Sequence, residues 1–159
     1  MGSTIKIGFV GEKGVARLDT GPFLKAAAIC SDVIEGKDGV LSLIRIIDRL
    51  TITAAGTQLP AELPPQKYPL KIVLMLISGR ARGSHSAAIR IEQPDTTSRP
   101  CWSGTVFLEG EDRGANVVIA LEAEFPQEGL YWFDLYFDDA RITRMPFRVI
   151  YQRAGAGPA

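Results

Sequence analysis

The feature that most constrains this chain lies in its last third, where apolar and polar residues alternate with a period of two over three successive runs. Between Ala115 and Phe125, the residues Ala115, Val117, Ile119, Leu121, Ala123 and Phe125 fall on one side, and Asn116, Glu122 and Glu124 on the other. Tyr131, Phe133, Leu135 and Phe137 share a side of the next run, and Met145, Phe147, Val149 and Tyr151 of the last. Side chains of an extended strand point alternately to opposite faces, so this pattern specifies half-buried strands against a common core. Pairing Phe133 with Phe147, and Leu135 with Met145, keeps both apolar sides together and leaves Asp139-Ala140-Arg141 as the hairpin loop. That register sets Trp132 opposite Arg148 and Tyr136 opposite Arg144, with Asp134 diagonal to both arginines. It predicts cation–π pairs on the solvated face of the sheet.

Upstream segments add strands. Leu24–Ile34 is small and apolar and ends in the turn Glu35–Gly39. In Val40–Thr53, the residues Val40, Leu43, Ile44, Ile47 and Leu50 also fit a helical period, but β-branched content and the flanking glycine turns favour a strand. A connection carrying Pro60, Pro64, Pro65 and Pro69 follows. Lys71–Ile77 is almost wholly apolar, the pattern of a central strand covered on both faces. Beyond the basic loop Gly79–Gly83, His85–Gln93 and Trp102–Leu108 alternate, and Glu109–Arg113 is an acidic turn. About eight strands without intervening amphipathic helices predict an all-β fold, an antiparallel β-sandwich of immunoglobulin-like or Greek-key type. The sandwich is expected over residues 23–152. Residues 1–22 form an N-terminal extension, in which Ile5, Ile7 and Phe9 suit one edge strand, and residues 153–159 a flexible C-terminal tail.

Length and charge exclude several classes. A chain of 159 residues buries roughly two thirds of its unfolded surface without a metal or disulfide staple. Its 18 basic and 18 acidic residues balance, with no basic stripe, so no nucleic-acid partner is expected. No run approaches the ~20 apolar residues that span a bilayer, and no secretory leader is visible. The expected setting is the cytoplasm, away from any membrane. Cys30 and Cys101 are too far apart for a zinc knuckle or a redox pair. They are expected as two reduced, buried thiols, with a disulfide open only if their strands are neighbours.

The search for chemistry returns little. His85, the single histidine, has Ser84, Ser86, Arg80 and Arg82 nearby, but no nucleophile elbow is present and no oxyanion hole is implied. Arg80, Arg82 and His85 could hold an anion such as a phosphate or carboxylate, but a solvated basic loop is the better account of them. Glu109, Glu111 and Asp112, and separately Asp138 and Asp139, form acidic turns without EF-hand spacing. Gly8–Gly14 lacks the spacing of a phosphate loop. Trp102, Tyr131, Trp132 and Tyr136 are the aromatics that could stack on a sugar. The expectation is therefore a protein that is not an enzyme and needs no metal or cofactor. Its candidate binding surface comprises Arg80, Arg82, His85, Trp132, Tyr136, Arg144 and Arg148. The expected role is an accessory or protein-interaction module that meets another protein or a second copy of itself; the alternative is a small-ligand or carbohydrate-binding sandwich.

Several motifs carry a resemblance: Ala28-Ile29-Cys30-Ser31-Asp32, Gly39-Val40-Leu41-Ser42-Leu43-Ile44, Asp112-Arg113-Gly114-Ala115-Asn116, Phe125-Pro126-Gln127-Glu128-Gly129-Leu130-Tyr131-Trp132-Phe133-Asp134, and Thr143-Arg144-Met145-Pro146-Phe147-Arg148-Val149. Over about residues 24 to 152 the chain resembles an uncharacterised bacterial family of small β-rich domains. The resemblance implies an intracellular β-domain and brings no catalytic residues. The chain departs from the pattern at Arg45, where a glycine is expected after Ser-Leu-Ile. The Gly-Leu-Tyr-Trp-Phe segment also resembles the late strands of immunoglobulin-like sandwiches.

Overall fold

The computed structural model describes residues 21–154. Nine strands follow in order: β1 (Phe23–Glu35), β2 (Leu41–Ile46), β3 (Arg49–Ala55), β4 (Gln66–Gly79), β5 (Gly83–Glu92), β6 (Ser98–Leu108), β7 (Glu111–Phe125), β8 (Gly129–Phe137) and β9 (Ala140–Ala154). They form a four-stranded sheet, β2-β1-β4-β7, packed on a five-stranded sheet, β3-β9-β8-β5-β6. The all-β sandwich read from the alternation is the observed fold. The expected edge strand at Ile5–Phe9 and the Gly8–Gly14 segment lie outside the described residues. β9 extends through Arg153 and Ala154, and the rest of the expected tail also lies outside them.

From β4 onward the order is that of an immunoglobulin-like sandwich. β4 and β7 sit in one sheet, β5, β6, β8 and β9 in the other, and the chain crosses at β4–β5, β6–β7 and β7–β8. Tyr131 makes the corner that holds such a crossing. At the start of β8, its hydroxyl donates to the Gln127 carbonyl (2.6 Å) and accepts from the Gln127 N–H (3.3 Å). Its ring is fully buried against Phe125, edge on at 5.0 Å between centroids. Phe125 stacks on Phe147 at 5.5 Å, and Phe133 meets Phe147 edge on at 6.0 Å. These rings, with Ile72, Leu74, Ile89, Ile91 and Leu135, fill the space between the sheets. All but Ile72 and Leu74, which belong to the almost wholly apolar β4, come from the inward side of an alternating strand.

Three expectations are corrected. Val40–Thr53 is two strands, not one. β2 pairs antiparallel with β1, the chain changes sheets at Ile47-Asp48, and β3 then pairs in parallel with β9. This adds a ninth strand and one parallel pair to an otherwise antiparallel fold. Arg45, just before the crossing, has φ = 51°, a left-handed conformation that favours glycine. The expected glycine position is thus a strained one.

The hairpin register is the second correction. Phe133 pairs with Met145, Tyr131 with Phe147 and Trp132 with Pro146, two residues from the expected pairing. The loop is Asp138-Asp139, with φ of 45° and 64°, the primed turn geometry that matches strand twist. A one-residue irregularity follows between Leu135 and Tyr136, so that Tyr136 pairs with Arg141 rather than Arg144. A slip of two residues leaves the same side dry, so alternation alone cannot detect it. Third, Asp134 is directly opposite Arg144, not diagonal to it, and Arg148 lies across from Leu130.

Candidate functional site

The seven residues singled out from the sequence do not form one surface. Trp132, Tyr136 and Arg144 lie on the outer face of the five-stranded sheet. Arg148 lies farther along that face, in a shallow depression with Asp48, Arg49 and Pro146. Arg80, Arg82 and His85 belong to the β4–β5 connection and the start of β5.

Arg144 organises the first group. Its guanidinium donates to both oxygens of Asp134 (2.7 and 3.2 Å) and to Glu92 (2.8 Å), and lies 4.7 Å from the Trp132 ring centroid. Hydrogen bonding to Asp134 raises Arg144 above the ordinary guanidinium value, against the opposing effect of burial. Asp134 is only 3% exposed, and Arg141 approaches it at 3.7 Å. The strip is a satisfied cross-strand network that holds β5, β8 and β9 together. Trp132 gives a ring face to the guanidinium, Tyr131 is buried in the core, and Trp102 turns inward so closely over Gly104 that a Cβ there would lie 2.5 Å from the ring. Neither Tyr131 nor Trp132 offers a free stacking platform for a sugar, whereas Trp102 and Tyr136 both line an open depression with Ala88, Arg90 and Pro100.

His85 is held on both sides by acceptors. Nδ1 is 2.6 Å from an Asp138 carboxylate oxygen and Nε2 is 3.2 Å from the Arg82 carbonyl, while the ring stacks on Phe137 at 5.2 Å. The histidine ties β5 to the β8–β9 turn. Arg82 donates to the Glu109 carbonyl (2.7 Å) and to Glu111 (2.9 Å). Two of the three groups considered for an anion are therefore already engaged. Of the acidic turns, Glu111 and Glu109 pair with Arg82 and Arg113, and Asp138 is taken by His85 and the Ser86 N–H. Among the described residues, no group of three or more His, Cys, Asp or Glu side chains could hold a metal. No helix there is long and apolar enough to cross a membrane.

The thiols are free and lie in different sheets. The strand of Cys30 neighbours β2 and β4, while that of Cys101 neighbours β5, so the condition for a disulfide is not met. Burial pushes the Cys101 thiol up to about 11. Cys101 lines a cleft of about 250 Å³ between β6 and β7, with Ile91, Trp102, Leu121, Ala123 and Phe133. Arg99 reaches across to donate to the Glu124 carbonyl (2.7 Å).

One surface was not anticipated: the outer face of the four-stranded sheet. Register places its side chains in five rows. Ile44 lies beside Asp32 and, at the same level, Pro69 beside Glu122; Ile46 beside Cys30, Lys71 and Ala120; Ala28 beside Val73 and Val118; Ala26 beside Met75 and Asn116; and Phe23 beside Ile77 and Gly114. Ile46 is 68% exposed, Phe23 44%, Val118 41% and Ile44 38%, around a buried Val73. The charged groups stand at one end, where Lys71 pairs with Asp32 and Lys67 with Glu124 while Glu122 stands opposite Pro69; the Lys71 ammonium holds the Asp32 carboxyl below its usual range. The signal was present in the sequence. Lys71–Ile77 reads as a strand covered on both faces, and Val118 and Ala120 break the polar side of an otherwise alternating run.

A family model matches residues 25–150. The chain belongs to DUF6941, a family of unknown function. No curated protein matches the chain. Among solved structures it is similar to a β-glucosidase from Listeria innocua, with 9% identity, a TM-score of 0.45, and coverage of 83% of this chain but 17% of that one. It is also similar to the CARDB domain of the PF1109 protein from Pyrococcus furiosus, solved in complex with di-metal ions, with 12% identity, a TM-score of 0.40, and coverage of 84% and 99%. These likenesses are too distant to carry a role across, so what this member of the family does is argued from its own surfaces.

Proposed function

We propose that this member of the family is a non-catalytic protein-interaction module that docks an uncharged, apolar protein surface on the outer face of its four-stranded sheet. The observation that carries this is β4: from Ile72 to Ile77 its side chains are apolar on both faces, and among the described residues only the inner face is covered by the second sheet. Burying exposed aliphatic area gains roughly 25 cal/mol per Å², and contiguous apolar patches on a folded domain mark sites of association. Neither the engaged His85 nor the satisfied Arg144 network argues for catalysis. The free thiols Cys30 and Cys101 favour a reducing cytoplasm, and the motifs of the family favour a bacterial one.

The test compares affinity-tagged wild type with two variants of matched chemistry. Val118→Lys puts a charge on the docking face. Phe107→Lys does so on the outer face of the other sheet, where Phe107 is 65% exposed. Circular dichroism first establishes that all three are folded. Partner recovery is expected to survive Phe107→Lys and to vanish with Val118→Lys. Equal recovery by both variants would remove this face from the account.

The cleft beside Cys101 favours a second reading, a site for a small apolar ligand. Such a ligand would raise the melting temperature and protect Cys101 from maleimide; a screen of small aromatic and short aliphatic compounds that does neither counts against it.

A further inference from the structure

Resting on that docking face, we infer that its occupant is a second copy of this chain, packed sheet on sheet about a two-fold axis. Three properties of the face point to self-pairing.

The first is charge. Lys71 pairs with Asp32 and Lys67 with Glu124 inside the face, and the whole chain carries no formal net charge. Glu122 stands at the same end without an ion pair among the described residues, and this one acid at the border is too little charge to repel a copy or to select an oppositely charged partner. The paired charges at one end form a polar border to an apolar centre, the usual anatomy of an interface.

The second is relief. Along β1, Ala26 and Ala28 make a low shelf beside Met75 of β4, with Val73 buried level between its neighbours. β2 ends at Ile46, level with Cys30, so the shelf is open on that side and Ile46 stands proud at its corner. A two-fold axis near Val73 sets each copy's Ile46 against the other's alanine shelf. An isologous contact requires this kind of self-complementarity, in which one patch supplies both ridge and recess.

The third is extent. Three to four strands at about 4.8 Å spacing, and five rows at about 6.8 Å, give a projected footprint on the order of 500 Å². With side-chain relief this approaches the ~800 Å² per partner of a standard interface. Aligned sheets pack about 10 Å apart through such interdigitated faces.

The experiment is size-exclusion chromatography with light scattering across a hundredfold range of concentration, on the full chain and on Ile46→Lys, Val118→Lys and Phe107→Lys. Wild type and Phe107→Lys are expected at about twice the 17.3 kDa chain mass, with Ile46→Lys and Val118→Lys at least tenfold weaker in dimerisation and unchanged in circular dichroism. Two independently placed face variants keep the test valid if one of them fails to fold. A wild type that stays monomeric at every concentration, while still capturing another protein in a Val118-dependent way, overturns the second copy and leaves the docking face standing. A dimer indifferent to both face variants overturns the second copy on this face, and the docking reading with it if partner capture is equally indifferent.

Discussion

Asp134 shows how a residue that looks like part of a binding surface becomes structural. Its carboxylate is buried under Arg144 and Arg141 and accepts two hydrogen bonds from Arg144. Replacing it with alanine leaves a half-buried guanidinium with one carboxylate fewer, and removing one member of a buried, hydrogen-bonded pair is strongly destabilising. Asp134→Ala is expected to lose about 2–3 kcal/mol in urea denaturation; a loss below about 0.5 kcal/mol would mean that the pair is a solvated surface contact. Cys101 gives a pH dependence with a definite sign. Burial raises its thiol from an ordinary value near 9 to about 11, so the folded state resists an ionisation that the unfolded chain accepts. The contribution to stability is intact below pH 9 and is lost as pH rises from there towards 11. Stability measured across that window should fall more steeply for wild type than for Cys101→Ala; parallel profiles would show that the thiol is not the cause. Trp132 and Arg144 were legible from the sequence as a cation–π pair only in kind. The partner was misassigned because the two-residue slip preserves the alternation.

At the level of elements, the most informative segment is the one the sequence reads as a single strand. β2 and β3 are continuous in apolar character, yet the chain leaves one sheet and enters the other between them. The Ile47 N–H donates to the Ile29 carbonyl (2.9 Å), and the Asp48 carbonyl accepts from the Arg148 N–H (2.9 Å). Periodicity reports whether a residue is buried, and both sheets bury the same kinds of side chain, so the crossing leaves no mark in the pattern. It does leave one at Arg45. An L-residue in the left-handed region costs roughly 1–2 kcal/mol, and glycine loses more backbone entropy on folding by about 0.5–1 kcal/mol. The net expectation for Arg45→Gly is a gain of about 0.5 kcal/mol, seen as a small rise in the urea midpoint with an unchanged slope. A lower midpoint would mean that the Arg45 side chain makes a contact outweighing its backbone strain. Pro146 follows the same logic of position. β3 pairs with β9 only from Arg148 onward, so the missing donor of Pro146 falls where the ladder has no neighbour on that side.

Taken whole, the molecule is a sandwich with a finished interior and one unfinished exterior. If the outer face of the four-stranded sheet is covered by a second copy, unfolding is linked to dissociation and the melting temperature depends on concentration. Calorimetry at two concentrations a hundredfold apart is expected to show a rise of several degrees for wild type and none for Val118→Lys. A concentration-independent transition in both would argue for a monomer. Alternation by itself determined the strands of the last third, their inward faces, and hence an all-β sandwich, because a period of two admits no other regular structure with one dry side. The corner at Tyr131 was present in outline as the turn before Gly-Leu-Tyr-Trp-Phe. What only the tertiary structure decided was pairing: the hairpin register, the change of sheet after Arg45, the capture of His85 by Asp138, and, among the described residues, the absence of a second sheet over Val118 and Ile46. Burial pattern is a property of each strand alone, whereas register, neighbours and cover are properties of strand pairs distant in sequence, and no local period encodes them.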